Sequence, residues 1–478
     1  MRVKEQKRPK LRRRKATKGN NILVQITAFV LTILLLTTAA SPTWALMSVA
    51  EERVLGQKLL KQVLSQVRLV DDPEIVDFVR ETGESILEVI GRKYFKYRFF
   101  VIKDPALNAF AMPGGLVFVH SGLLEAIGSQ NELACVMAHE FAHVQGRHVA
   151  RRMDNMKYVS IGTAVMAIAG LFLGRGELGS AILTGSMAMN QAIALKYSRA
   201  DEQEADRRAF QWLCKAGWDP RGLKTTLEKM MKNNWLGSPH IPKYLSTHPV
   251  PEERLTYLED LWRSHPCYLK HKEDPFRVER IKVKIKVMSA DPAELIARYE
   301  QLLKKSPQNL KYLYGYALSL DRARRFDKAI KTYDKIIAQN PNKDIFLRDK
   351  AITLFHMGRY KEAVKILTAF LKKHPRDITT IYFLGRSYLE GGMPEKAIVY
   401  FKRLLPDWEE NTPFLFQLGR CYAGLKQEGV AHYYFYKYYA LIGKMDAAQY
   451  HRKRALALLP KTSPILKRLK NEKEEAKS

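Results

Sequence analysis

The sequence predicts a mainly α-helical chain: an α+β domain with a small sheet, followed by an α-solenoid of paired helices. Three observations predict it. A 34-residue period runs through the C-terminal part, a capped helix carrying two histidines lies in the middle, and short Val/Phe/Tyr-rich stretches precede that helix. At 478 residues the chain should hold two or three domains, and 46% hydrophobic with 27% charged residues excludes a largely disordered one. The expected organisation is an export segment over 1–45, a first folded domain over 46–270, a linker or strand over 271–289, repeats over 290–461 and a charged tail over 462–478.

Residues 1–21 carry ten Lys/Arg and one acid, Glu5, and Ile22 to Ala40 follow without a charge. Pro42 and Ala45 then close the segment. A basic start, an apolar run, a helix breaker and a small residue describe a secretory signal cut after Ala45. Uncleaved, the same run is just long enough to serve as an anchor. Either way the expected location is the cell envelope, in the periplasm.

Lys+Arg number 80 against 49 Asp+Glu, a formal +31. Between Ala290 and Ser478 stand 36 bases and 20 acids, so much of the surplus lies in the last two-fifths of the chain. Export makes nucleic acid a poor partner; anionic lipid headgroups, lipopolysaccharide or an acidic protein fit better, against the plainer reading of a solvated basic face. The four cysteines (Cys135, Cys214, Cys267, Cys421) include no CxxC pair. A thiolate zinc cluster is excluded, so any metal must be held by His and carboxylate.

Phe95 to Lys103 and Leu116 to His120 read as strands flanking the segment Asn108–Gly115. An edge strand there would let an extended polypeptide pair its backbone. Between Ser129 and Arg152 the chain reads SQNELACVMAHEFAHVQGRHVARR. Ser129 with Glu132 forms a capping box, and nothing breaks the helix before Gly146. His139 and His143, four apart, share one face as two imidazoles on one cation require. Glu140, beside the first, is placed to act as general base toward a water activated there. Two satisfied histidines on an ordinary helix are the plain alternative.

A catalytic zinc needs a third protein ligand and an open position. The acidic stretch Ser198–Asp206 offers Glu202 as ligand, and Asp206, one turn on, as acceptor from a ligand histidine. A solvated acidic face is the competing reading. Glu204 points to another side of that helix and cannot share the pairing. His120, His148 and His240 have no motif around them and read as structural or surface residues.

VMAHEFAHVQGRH, followed by SRADEQEAD, resembles the metallopeptidase family of HtpX, Oma and the prenyl-protein proteases. Asn108–Gly115 (NAFAMPGG) looks like the family's NAFALPGG stretch, and Ser246-Thr247-His248-Pro249 with Arg254 like its late THP…R element. The resemblance covers roughly residues 48 to 262. With an export signal and a repeat tail, the arrangement is similar to the family's exported branch, which serves outer-membrane assembly as protease and chaperone. It implies one Zn2+ per chain held by His139, His143 and Glu202, with Glu140 as base and Asp206 as supporting acid. His248 or Arg254 would supply a donor for the oxyanion; the resemblance also implies that His248 can instead close the open zinc position and silence the site. Polypeptides are the implied substrates. The runner-up is a chaperone-like adaptor with a latent metal site.

Tyr158 to Gly174 and Leu178 to Leu195 carry no charge. Each arm is short and broken by glycines, so buried or lid helices are favoured over membrane-surface contact or a span. Phe276 to Met288 alternates in period two and reads as a strand or extended linker. Beyond it Pro307, Pro341 and Pro375 are 34 apart, as are Ala329, Ala363, Ala397 and Ala431, and Ala317, Ala351, Gly385 and Gly419. A bulky position runs Tyr299, Tyr333, Leu367, Phe401, Phe435. Small residues let paired helices approach, and the large one fills the gap. This looks like a tetratricopeptide array over roughly 291 to 460, opened by a lone second helix at 291–306 and closed by a cap at Met445 to Leu459. Its groove is expected to bind a partner protein or peptide.

Overall fold

The computed structural model describes residues 47–155, 161–173, 196–235, 243–249 and 252–475. The export segment, His240 and the whole stretch from 174 to 195 lie outside them.

The first domain opens with helices Val49–Leu64 and Pro73–Leu87, the second capped by the Asp72 carboxylate on two backbone N–H groups. Three strands follow: β1 Arg98–Ile102, β2 Ala109–Met112 and β3 Leu116–His120, ordered β1-β3-β2. β3 runs parallel to β1 and antiparallel to β2, in register Phe100↔Phe118 and Phe110↔Phe118. Both expected strands are present, and the NAFAMPGG segment is itself the third. Its turn depends on Gly114 and Gly115, at φ 83° and 81°, and Gly56 packs so close that a Cβ would sit 2.5 Å from the Pro113 carbonyl oxygen.

Below the sheet lies the motif helix, Gln130–Gln145, nearly all of it buried. Ser129 Oγ accepts from the Glu132 N–H, and Glu132 returns to the N–H of Gly128. The helix packs against the acidic helix Arg199–Ala216, which starts in a capping box of Ser198 and Asp201 and ends at Gly217, φ 88°. Within the apolar stretch, Ile161–Leu173 is helical and packs on Val49–Leu64; its Phe172 ring stacks on Phe110 at 5.2 Å. Among the described residues no helix is long and apolar enough to cross a membrane. Helices Gly222–Trp235, Lys243–Thr247 and Glu252–Ser264 complete the domain. Cys214 and Cys267 form a disulfide across 53 residues, while Cys135 and Cys421 are free and buried.

Phe276 to Met288 is not a strand or linker but part of a helix, Pro275–Ser289, capped by Asp274 with proline at its first turn. Val278, Ile281 and Ile285 enter the core of the first domain, and Val283 and Val287 enter that of the repeats. Apolar residues on two opposed faces of one helix imitate period-two alternation. This bridging helix packs on Leu310–Arg322, so Pro292–Lys305 does not open the array alone.

The pairs Leu310–Arg322 with Phe326–Gln339, Ile345–His356 with Tyr360–Lys373, Ile378–Glu390 with Pro394–Leu404, and Thr412–Gly424 with Glu428–Leu441 follow. Met445–Leu458 packs on the last of them. The charged tail is also corrected: Pro464–Glu475 is helical, and Leu466 and Leu469, three apart, are buried in the repeat core. The small-and-large logic holds at close quarters, since a Cβ on Gly385 would lie 2.4 Å from Cε1 of Phe401. Gly385→Ala should therefore cost about 1–3 kcal/mol through overpacking. Helix propensity alone would give a gain of about 1 kcal/mol, so the sign of the shift in a urea melt decides between them.

The two domains meet over a buried ion cluster. Glu74, on a helix of the first domain, pairs with Arg280 at 2.7 Å and Lys284 at 2.9 Å from the bridging helix, and with Arg348 at 2.6 Å from the repeats. Asp349 accepts from Arg280 at 2.7 Å and from the Tyr314 hydroxyl at 2.9 Å.

Candidate metal centre

One face of the motif helix turns His139 and His143 inward together, their Nε2 atoms 3.0 Å apart. The acidic helix crosses them and brings Glu202, whose carboxylate oxygens lie 3.3 Å from His139 Nε2 and 3.4 Å from His143 Nε2. His248, following the short helix Lys243–Thr247, adds its Nδ1 at 2.9 Å from Glu202 and 3.4 Å from His139. All four side chains are buried, and their donor atoms lie within 4.8 Å of one another. Three imidazole nitrogens and a carboxylate oxygen, closing on one point and screened from water, suit a single divalent cation. Nitrogen and oxygen donors in this number fit zinc.

The surroundings fix the charge of each donor. Burial pulls His139 down, but its hydrogen bonds to Asp206 and Glu202 outweigh that and push it up to about 9. The carboxylates that favour a proton there favour a divalent cation in its place. Burial would raise Glu202, yet His248, Arg254 and His139 hold it well below the usual carboxylate range, so it stands as an anion. Burial, helped by the neighbouring His139 and His248 and opposed by Glu202, carries His143 well below its ordinary value, leaving it neutral.

Asp206 lies one turn beyond Glu202, with Oδ1 2.9 Å from His139 Nδ1. Arg254, at the start of helix Glu252–Ser264, closes the arrangement: Nε reaches Asp206 at 2.6 Å and an Nη reaches Glu202 at 2.5 Å. An arginine committed to two buried carboxylates is a strut. The sequence reading of Arg254 as an oxyanion donor does not fit this geometry. Glu140 accepts from the Ala111 N–H of β2 with one oxygen at 3.0 Å, while the other lies 3.5 Å from His248 Nε2. Burial raises the Glu140 carboxyl, against the pull of His248 and His139.

Three residues at this site escaped the sequence reading. Tyr197 stacks on His143 at 3.8 Å and Tyr244 on His248 at 4.4 Å. His148, read as structural or surface, has its Nδ1 2.8 Å from His143 Nδ1. The Gly146-Arg147 step between the two histidines was the available signal. His120 is buried beside Phe110 at the end of β3.

Residues 77–261 match the model of peptidase family M48. The first domain, the M48 domain by that match, is similar to the family over most of its length. Residues 291–344 match a tetratricopeptide repeat model, and 319–428 match the N-terminal repeat region of Psidin. Among relatives, the beta-barrel assembly-enhancing protease of Escherichia coli (strain K12) is 29% identical over 294 residues, 60% of this chain and 59% of that one. The mitochondrial metalloendopeptidase OMA1 of Schizosaccharomyces pombe is 32% identical over 213 residues, covering 44% and 60%. The metalloprotease LoiP of Escherichia coli (strain K12) is 32% identical over 167 residues, covering 34% and 61%. The chain thus spans about three-fifths of the length of the relatives it matches. The M48 domain carries the histidine pair, and the repeats follow it.

Proposed function

We propose that this chain is a zinc-dependent endopeptidase of the bacterial cell envelope. It cleaves misfolded or stalled outer-membrane proteins, and its repeats recruit substrate or assembly machinery. The observation that carries the reading is the convergence of His139, His143 and Glu202, with Glu140 alongside, in a buried pocket. The matches to the beta-barrel assembly-enhancing protease support the substrate class. The Cys214–Cys267 disulfide supports an oxidising compartment.

His139, His143 and Glu202 would hold the ion. Bound zinc supplies a Lewis acid that acidifies water and polarises a carbonyl. Glu140 takes a proton from the attacking water and returns it to the leaving amine; its raised pKa suits a group that must do both. Asp206 fixes the His139 ring, and Arg254 keeps Asp206 and Glu202 ionised. His248 places its Nδ1 in the cluster as a fourth donor, which favours a second reading of the same site as latent. On that reading His248 fills the corner that catalysis needs, and the chain acts as a chaperone-like adaptor until His248 withdraws. The basic repeats suit an acidic protein or anionic lipid as partner.

Casein hydrolysis by the mature chain tests both readings. The expected result is one zinc per chain, lost in His139→Ala, with hydrolysis that rises in His248→Ala. Silence of wild type and His248→Ala alike, at full zinc, removes the peptidase and leaves the adaptor.

A further inference from the structure

The two histidines of the motif helix differ in what holds their far nitrogens. His139 Nδ1 faces a carboxylate, that of Asp206, at 2.9 Å. His143 Nδ1 faces a second imidazole, that of His148, at 2.8 Å. His148 is fully buried, and its Nε2 lies 3.4 Å from the Glu204 carboxylate, which Arg151 and Arg208 also engage.

The chain is shaped to make this contact. The motif helix stops at Gly146, Arg147 takes a left-handed φ of 53°, and a new helix, His148–Asn155, starts with the histidine folded back. A Cβ on Gly146 would meet His148 Nε2 at 2.3 Å. Tyr197, stacked on the other ring, restricts His143 further.

Proton placement follows from the donor geometry. For His143 Nε2 to offer a lone pair to the ion, its proton must sit on Nδ1 and be donated to His148 Nδ1. His148 then carries its own proton on Nε2, the nitrogen facing Glu204. We propose that His148 is a positioning residue that, with Glu204 behind it, sets the tautomer and ring orientation of His143 and so the affinity for the cation. The proposal rests on the reading of the four-residue cluster as a divalent-ion site.

The test uses the full chain as wild type, His148→Phe, His148→Asn and Glu204→Ala. Zn2+ affinity is read by competition with a chromophoric chelator, Co2+ ligation by visible absorption, and folding by the melt of each metal-free form. His148→Phe fills the space but accepts nothing, and should weaken Zn2+ binding about 10- to 100-fold. His148→Asn keeps an acceptor oxygen where Nδ1 stands, and should restore affinity to within about threefold. If both variants fold and Phe binds like wild type, or Asn no better than Phe, the proposal is overturned. Should His148→Phe fail to fold, Glu204→Ala decides: it removes the acceptor behind His148 at a part-exposed position, its change must still weaken Zn2+ binding, and an unchanged affinity overturns the proposal. Wild type that takes up no Zn2+ or Co2+ would instead refute the metal centre itself.

Discussion

Glu140→Gln should lower hydrolysis of an unfolded substrate by about 10²- to 10⁴-fold while the chain keeps its zinc. The side chain is fully buried, and the amide has the shape of the carboxylate it replaces. Its carbonyl oxygen can still accept from the Ala111 N–H, so β2 stays in place. What disappears is the capacity to take a proton. The comparison is between metal content, melting temperature and rate at saturating substrate. A variant with normal zinc and more than a tenth of the wild-type rate would mean that another group is the base.

Glu74→Ala should cost about 3–5 kcal/mol, because three buried cations lose the one carboxylate they share and fall back on Asp349, Asp72 and Asp377. Set against the usual total of about 5–15 kcal/mol, that is a large fraction. Urea denaturation followed by separate probes in the M48 domain and the repeats reads the loss. A change under about 1 kcal/mol would mean that water reaches the cluster and relieves the under-paired charges. The cluster should also respond to pH. Burial would raise Glu74, but Arg280, Arg348 and Lys284 hold it well below the usual carboxylate range. Its contribution is therefore present above the ordinary value and lost as pH falls through the depressed one. Asp77 runs the other way: burial and Glu81 push it up to about 7, so its contribution fades as pH rises through that value.

The legible parts of the fold were those written in local rules. An N-cap at Ser129, four-residue spacing of His139 and His143, and a 34-residue recurrence of small and large residues each have a physical cause within one or two turns of helix. The misreadings had non-local causes. Pro275–Ser289 looks extended because two separate cores draw on opposite faces of it, and only the Asp274-Pro275 start betrays a helix. Pro464–Glu475 looks like a solvated tail because its charges outnumber the two leucines it buries. At the site, spacing brought out the side chains at positions i and i+4. It could not reveal Arg254 as a strut across two carboxylates, or His148 as a neighbour reached through a left-handed step.

The bridging helix also limits how the chain can be taken apart. Severing it from the repeats would uncover the Val283 and Val287 face, and severing it from the M48 domain would uncover Val278, Ile281 and Ile285. Neither fragment would keep a dry seam, and each would seek new apolar company. Half-molecules prepared by cutting between 271 and 289 should therefore be sticky, and tests of the array's specificity are better run on the intact chain.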